Sequence, residues 1–159
     1  MKTDILIVGS GCSGLYCALN LPESRQITVI TKAGAEENDS YLAQGGMCML
    51  KDESDYQGFF DDTMKAGHYE NDEASVEIMI RSSRSVVEDL LQFGADFQKD
   101  ENGELVFTRE GAHSEKRIIF HKDVTGKEIT STLLAQTKRR SNICLLYTSP
   151  SPRDISGSR

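Results

Sequence analysis

Three glycines near the start of the chain have the spacing of a turn that binds the phosphates of a dinucleotide. Gly9, Gly11 and Gly14 follow directly on the run 4–8, which is apolar from residue 5 onward, and the apolar run 15–19 comes after them. Glycine permits a tight turn, a close approach of the backbone to a pyrophosphate, and close packing of helix on strand. The diphosphate would lie at the helix N-terminus, where N–H groups and the dipole favour anions. The order of strand, turn and helix therefore predicts a dinucleotide site, the alternative being an ordinary glycine-rich turn.

A second strand is predicted at 27–31, where β-branched residues form an unbroken run. It completes a strand–helix–strand unit with parallel strands. In the NAD-binding version of this unit, an acidic residue about twenty positions beyond the glycines holds a ribose hydroxyl. Lys32 ends this strand instead. A lysine there weakens the NAD interpretation and is better suited to contact an anionic or carbonyl-rich part of a cofactor. The alternative is a lysine that only faces water, as most lysines do.

The segment 34–46 has few aliphatic side chains and ends in a glycine pair, so it cannot form a regular strand. The glycine pair would let main-chain N–H and C=O groups meet a flat ligand closely. Ser40 and Gln44 offer side-chain hydrogen bonds to the same ligand. Taken alone, the segment could equally be a surface loop.

Periodic segments farther along the chain predict the elements that position these residues. Apolar spacing predicts a 21-residue helix at 73–93 that ends before Gly94, and an Asn-Gly turn predicts a hairpin within 97–107. The other predicted elements are a strand at 47–50, a helix at 56–67, a strand at 118–121, a helix at 125–140 and a strand at 142–146. Because a hairpin departs from alternating strands and helices, we expect a second, smaller domain to begin near residue 95.

Composition limits the classes of partner. The 159 residues carry 18 basic and 25 acidic side chains, a formal charge of −7, which disfavours nucleic acid or an anionic membrane surface as the main partner. No run approaches the ~20 apolar residues of a membrane span, and the N-terminus lacks a signal peptide. The four cysteines have no metal-ligand spacing. We therefore expect a cytoplasmic protein with reduced cysteines, no membrane span and no metal site.

The motifs in combination resemble one flavoprotein family. They are the opening glycine turn, the run 40–46, and the polar run 108–114, which 121–126 continues. Together they are similar to the L-aspartate oxidases, which belong to the flavoprotein family of succinate dehydrogenase and fumarate reductase. The likeness extends over about residues 2–146.

The resemblance implies an α/β fold in which a truncated, Rossmann-like FAD-binding domain is followed by the beginning of an inserted α+β capping domain. The FAD-binding part would comprise residues 1–94 and the capping part residues 95–146. Residues 147–159 contain two of the three prolines and four serines, which predicts a disordered or non-native tail.

The resemblance implies FAD as the cofactor. In succinate dehydrogenases a histidine before the Ala-Gln-Gly-Gly element bonds covalently to the flavin, but Asp39 stands at that position. A carboxylate has no imidazole nitrogen to alkylate, so the flavin would be held non-covalently. Carried over by position, the residues around FAD would be Gly9, Ser10, Gly11, Cys12, Ser13, Gly14, Lys32, Asp39, Ser40, Tyr41, Leu42, Ala43, Gln44, Gly45 and Gly46.

Glu110 would orient the substrate, again by resemblance. Aspartate differs from succinate by an ammonium group, which a carboxylate can bind through a charge-assisted hydrogen bond. The alternative is an exposed ion pair between Glu110 and Arg109 or Arg117, which would contribute little. His113 and His121 are lesser candidates for lining the substrate cavity, because a histidine in a polar loop is more often only solvated.

The implied reaction is the oxidation of L-aspartate to iminoaspartate in NAD biosynthesis, with oxygen or fumarate as electron acceptor and quinolinate synthase as a partner. Members of the family are several times longer than this chain. We therefore expect the isolated chain to bind flavin weakly at most and to show no turnover. The alternatives are an oxidoreductase like fumarate reductase or succinate dehydrogenase, and a nucleotide-binding fragment without catalysis.

Overall fold

A computed structural model of the chain describes residues 2–32 and 34–147. In chain order the elements are β1 (Ile5–Val8), α1 (Cys12–Asn20), β2 (Ile27–Thr31), α2 (Asp39–Leu42), β3 (Met47–Cys48), a 3₁₀ turn (Glu53–Asp55), α3 (Tyr56–Ala66), α4 (Glu73–Phe93), β4 (Ile118–Ile119), α5 (Thr125–Arg139) and β5 (Ile143–Tyr147). Two compact units contain them: of the described residues, those before 44 and those from 126 to 147 form the first, and residues 44–125 form the second. None of the helices in the described ranges is long and apolar enough to cross a membrane.

The first unit is built on a parallel three-stranded sheet in the order β1-β2-β5. Ile27 of β2 lies opposite Ile5 on one side and Ile143 on the other. Helix α1 supplies the crossover that parallel β1 and β2 need. Ala18 of that helix is buried with Ile27 and Val29 in the core. The predicted strand–helix–strand unit is thus confirmed.

The two units divide the chain differently from the expected boundary near residue 95. The second unit already begins at residue 44, and the chain returns to the first unit at 126. This return places β5 beside β2, because Ile143 and Leu145 pack against the core of the first unit and the burial of apolar surface stabilises that pairing. Strand β5 includes Tyr147, the first residue of the expected tail. Residues 148–159 lie outside the described residues.

The second unit packs α3 against α4 over an apolar core. The buried residues of this core include Leu50, Phe59, Met64, Val76 and Ile80. Helix α4 begins where the carboxylate of Asp72 accepts a hydrogen bond from a main-chain N–H of the first turn, and it ends at Gly94 with φ +100°. The predicted helix at 73–93 is confirmed residue for residue. Strands β3 and β4 pair antiparallel.

Two shorter segments are a hairpin that the sequence predicts and a helical turn that it does not. The predicted hairpin is confirmed by the antiparallel bridge between Lys99 and Leu105 and by Gly103, whose φ is +85° at the turn. The segment 34–46 contains one helical turn, α2, that the sequence analysis did not anticipate. It forms because the Asn38 side chain accepts a hydrogen bond from the Tyr41 N–H at 3.0 Å.

Candidate functional site

The glycine turn joins β1 to α1 with a geometry that side chains at Gly9 and Gly14 would prevent. Gly9 has φ +109°, in the left-handed region that glycine tolerates best. A Cβ added to Gly14 would lie 2.2 Å from the carbonyl oxygen of Gly9 and 3.4 Å from Cγ2 of Ile7. Helix and strand therefore approach each other as closely as the three-glycine pattern predicted.

The N-terminus of α1 directs main-chain N–H groups out of the helix. The first α-helical hydrogen bond runs from the Leu15 N–H to the Gly11 carbonyl at 3.1 Å, so the N–H groups of residues 12–14 have no acceptor within the helix. The Cys12 N–H is donated to the hydroxyl of Ser40 at 3.2 Å. The first turn carries no acidic side chain. This helix end can therefore accept an anion without repulsion from its own residues.

Ser10 contributes to the turn in another way. Its side chain is buried, and its hydroxyl lies 3.1 Å from the carbonyl oxygen of Ala35 and 3.2 Å from the hydroxyl of Thr31. These contacts tie the glycine turn to the end of β2 and to the segment that follows. The Ser10 hydroxyl is thus used in positioning the turn, whereas Ser13 is exposed at the helix end.

The segment around α2 lies over the start of α1. Ser40 bonds Cys12 as described, and the Tyr41 ring lies 5.7 Å from Nζ of Lys127. The remaining predicted cofactor residues of the first unit are exposed: Lys32, Asp39, Leu42 and Ala43.

Gly126 is a residue of this region to which the sequence analysis gave no role. A Cβ there would lie 2.1 Å from the carbonyl oxygen of Ser40 and 2.6 Å from that of Ala43, and its N–H donates to the Ala43 oxygen at 3.0 Å. Only glycine therefore lets α5 begin directly against this segment. The Thr-Gly pair at the start of the predicted helix was the signal that could have found it.

Gln44, Gly45 and Gly46 belong to the second unit and are exposed. A Cβ on Gly46 would lie 2.2 Å from Cγ2 of Ile118 and 2.5 Å from the carbonyl oxygen of Ile119. Gly46 thus permits the close pairing of β3 with β4. In the structure Gly46 therefore has a role in packing, apart from the predicted role in binding the cofactor.

The second unit contains a fully buried arginine that sequence reasoning missed. The Arg117 guanidinium donates two hydrogen bonds to Asp55, from Nε at 2.8 Å and Nη2 at 2.9 Å, and a third to Asp62 from Nη1 at 2.6 Å. These short, charge-assisted hydrogen bonds offset the free-energy cost of burying the guanidinium charge. The sequence analysis gave an ion pair between Arg117 and Glu110 as one alternative. That alternative is wrong, because the guanidinium bonds Asp55 and Asp62 instead.

The contacts within this cluster shift the pKa of Asp62 and of Arg117. Burial raises the pKa of Asp62, but hydrogen bonds from Ser114 and Arg117 outweigh that effect and lower it to about 2. Burial lowers the pKa of Arg117, and the carboxylates of Asp55 and Asp62 more than reverse this. Asp62 and Arg117 are therefore charged at neutral pH, where their contact is an ion pair.

His113 lies beside this cluster, whereas Glu110 is exposed. The His113 ring has Nε2 3.0 Å from Sγ of Cys48 and Nδ1 3.3 Å from Nη1 of Arg117. Glu110 lies in a turn with Gly111, whose φ is +57°. His121 lies elsewhere, where its Nδ1 contacts the carbonyl oxygen of Asp96 and is 3.5 Å from the carboxylate of the same residue.

A cavity of about 520 Å³ opens beside Cys48 and His113 within the second unit. Its other walls are mainly apolar and include Phe59, Met79 and Val86. The hydroxyls in these walls are used locally: that of Thr63, for example, donates to the Phe59 carbonyl at 2.8 Å. The cavity therefore combines room for a small molecule with few polar groups, among them the thiol of Cys48 and the imidazole of His113.

The thiol of Cys48 should be unreactive. Burial raises its pKa, Arg117 lowers it and Glu110 raises it further, with a net upward shift. Because the thiolate is the nucleophile, we expect iodoacetamide at pH 7.5 to label exposed Cys17 well before Cys48. Mass spectrometry of the peptides over time measures both rates. Faster labelling of Cys48 than of Cys17 would contradict the geometry of this site.

Comparisons with known proteins show which proteins this chain resembles in sequence. The L-aspartate oxidase of Clostridium perfringens is 47% identical over 143 residues, which are 90% of this chain and 32% of that protein. The L-aspartate oxidase of Pseudomonas aeruginosa is 40% identical, over 90% of this chain and 28% of its own length. The chain thus spans about a third of the length of the curated relatives it matches. The resemblance to L-aspartate oxidases inferred from the motifs is confirmed.

Solved structures share the fold. E. coli quinol fumarate reductase FrdA superposes with a TM-score of 0.86 at 22% identity, over 91% of this chain and 26% of that one. Mycobacterium smegmatis Sdh1 in complex with UQ1 gives a TM-score of 0.81 at 23% identity, over 92% and 27%. The predicted α/β, Rossmann-like fold is confirmed.

Residues 4–149 match the FAD binding domain, which confirms FAD as the cofactor. The chain belongs to the FAD binding domain family.

Proposed function

We propose that this chain is the FAD-binding portion of an L-aspartate oxidase, which oxidises L-aspartate to iminoaspartate for NAD biosynthesis. The observation that carries the proposal is the 47% identity to an L-aspartate oxidase over 90% of the chain. Bound FAD would supply the acceptor for the hydride of the substrate. Oxygen or fumarate would then reoxidise the flavin, and quinolinate synthase would use the product.

The first unit would hold the diphosphate of FAD at the N-terminus of α1. The close packing at Gly14 and the absence of a carboxylate in the first turn suit that group. Ser10 and Ser40 would act by fixing the turn and the helix end rather than by contacting the phosphates with their hydroxyls. Asp39 stands exposed where a covalent histidine would be needed, so the flavin would be bound non-covalently.

The second unit would select the substrate through Glu110. Its carboxylate lies at an exposed turn and is close enough to raise the pKa of Cys48. The nearby cluster of Arg117, Asp55 and Asp62 carries one positive charge against two negative charges. The region is therefore suited to a substrate that bears an ammonium group, which Glu110 would bind by a charge-assisted hydrogen bond.

The test is Glu110→Gln in the full-length protein that contains this segment. Loss of a hydrogen bond between charged groups costs about 1.5–3 kcal/mol, so kcat/KM for L-aspartate should fall roughly 10- to 150-fold, with FAD content unchanged. Steady-state peroxide production measures the change. Glu115→Gln, at another exposed carboxylate of the same segment, is the matched control.

Two results would count against the proposal. An equal loss in both variants would remove the specific role of Glu110. Oxidation of succinate in preference to L-aspartate by the parent protein would assign the chain to the succinate-oxidising branch instead. Either result leaves the FAD-binding fold unchanged.

A further inference from the structure

Segment 109–117, called the Glu110 loop below, is fixed to the rest of the second unit at both ends. At its base, Thr108 and Ile118 exchange two main-chain hydrogen bonds, at 2.8 and 3.1 Å. Farther along, Ser114 donates both its N–H and its hydroxyl to the carboxylate of Asp62, at 2.6 and 2.7 Å. The loop is therefore held against α3, which carries Asp62.

Arg117 has a contact for each of its five N–H groups. Nε and one N–H of Nη2 bond Asp55, and the second N–H of Nη2 faces the hydroxyl of Ser114 at 3.2 Å. One N–H of Nη1 bonds Asp62, and the other faces Nδ1 of His113 at 3.3 Å. The planar guanidinium thus connects α3, the 3₁₀ turn before it and two residues of the Glu110 loop.

This arrangement determines where the hydrogen of His113 resides. A guanidinium only donates and keeps its proton in proteins, so Nδ1 of His113 must be the acceptor of the Arg117 contact. In a neutral imidazole the remaining hydrogen is then on Nε2, which faces Sγ of Cys48 at 3.0 Å. Sulfur is a weak acceptor, so this N–H can be given to a better acceptor in the cavity.

We propose that Arg117 is a positioning residue for the Glu110 loop: it anchors the loop to α3 and fixes His113 as the Nε2–H tautomer, with that N–H directed at Cys48 in the wall of the cavity. The loop then offers a carboxylate at Glu110 and one N–H donor at His113. The inference deepens the proposed function, since it assigns the support of the loop on which Glu110 would bind substrate. Arg117 itself touches neither substrate nor cofactor.

The test compares Arg117→Lys with Arg81→Lys. Arg81 also pairs with two carboxylates, Glu53 and Glu77, both at 2.8 Å, and lies 4.1 Å from the ring of Tyr56, but its side chain is 45% exposed. Nitrogen-15 NMR of the chain reports the tautomer of each imidazole, and amide hydrogen exchange reports the opening of residues 110–114.

In the parent chain and in Arg81→Lys, the His113 signals should show a protonated Nε2 and an unprotonated Nδ1. In Arg117→Lys, which cannot reproduce the five-donor fork, the two tautomers should mix and the loop amides should exchange at least about tenfold faster. A parent His113 protonated on Nδ1 would overturn the proposal. So would an Arg117→Lys chain with unchanged tautomer and exchange.

A second variant covers the case in which Arg117→Lys does not fold. Asp62→Asn keeps Arg117 and its pair with Asp55, but weakens the anchor of Ser114. Loop exchange should accelerate while His113 keeps the Nε2–H tautomer; unchanged exchange would overturn the anchoring role. None of these readouts needs flavin or substrate, so their failure and a failure of the proposed oxidation are separate results.

Discussion

Replacement of Gly14 by alanine is expected to destabilise the first unit and to weaken FAD binding at least about tenfold, the equivalent of 1.4 kcal/mol. The added Cβ would lie 2.2 Å from the Gly9 carbonyl oxygen, a main-chain atom that cannot move without the whole turn. Such overpacking costs about 1–3 kcal/mol. Moving α1 away from β1 would also displace the N–H groups at its N-terminus. Urea denaturation measures the first effect, and quenching of flavin fluorescence measures the second.

Gly45→Ala is the matched control for stability. A Cβ at Gly45 would meet no atom within 4 Å, and its φ is not in the left-handed region. Its unfolding free energy should stay near that of the parent chain. The account of the glycine turn is wrong if Gly14→Ala is as stable as Gly45→Ala and keeps the FAD affinity of the parent.

Arg117→Met is expected to have the largest effect in the second unit, a loss of about 3–5 kcal/mol, because it leaves two poorly exposed carboxylates without their cation. Asp55 and Asp62 are only 10% and 16% exposed. Chemical denaturation followed by circular dichroism measures the loss. Arg81→Met is the control: it removes a cation with two carboxylate partners at an exposed site, where such pairs contribute little.

The same cluster predicts how stability depends on pH. The pKa of Asp62 is lowered from 3.8 to about 2 in the folded chain. A carboxyl group with a depressed pKa stabilises the fold fully above its ordinary pKa, and this contribution is lost as the pH falls toward 2. The parent should therefore lose stability between about pH 4 and pH 2 more steeply than Arg117→Met. Equal acid sensitivity, or equal losses of stability in Arg117→Met and Arg81→Met, would show that the cluster of Arg117, Asp55 and Asp62 does not stabilise the second unit.

The strands and the glycine turn of the first unit could be predicted from the sequence, because neighbouring residues specify them. The apolar run before Gly9 and the β-branched run at 27–31 specify β1 and β2, and the glycines between them specify the turn. The return of the chain to this sheet at β5 could not be predicted, because Ile143 pairs with Ile27 across 116 positions. The pairing of distant strands depends on how their apolar side chains are buried together, which the pattern of neighbouring residues does not indicate.

The Arg117 cluster shows the same limit for polar residues. Arg117 lies in a densely polar run, which indicates a solvated segment, and its partners Asp55 and Asp62 precede it by 62 and 55 positions. Charged residues are rarely fully buried unless paired, and the pairing is visible only in three dimensions. The resemblance singled out Glu110 and His113, but it could not reveal what supports them.

We propose above all that the N-terminus of α1, beyond the glycine turn, holds the diphosphate of FAD. The most direct measurement is an amide NMR titration of the chain with FAD, ADP and riboflavin. We predict saturable shifts of the Gly11, Ser13 and Gly14 signals with FAD and with ADP, even where affinity is weak, and none with riboflavin, which lacks the diphosphate. The claim is contradicted if these signals stay unmoved by FAD and ADP, or if riboflavin shifts them equally.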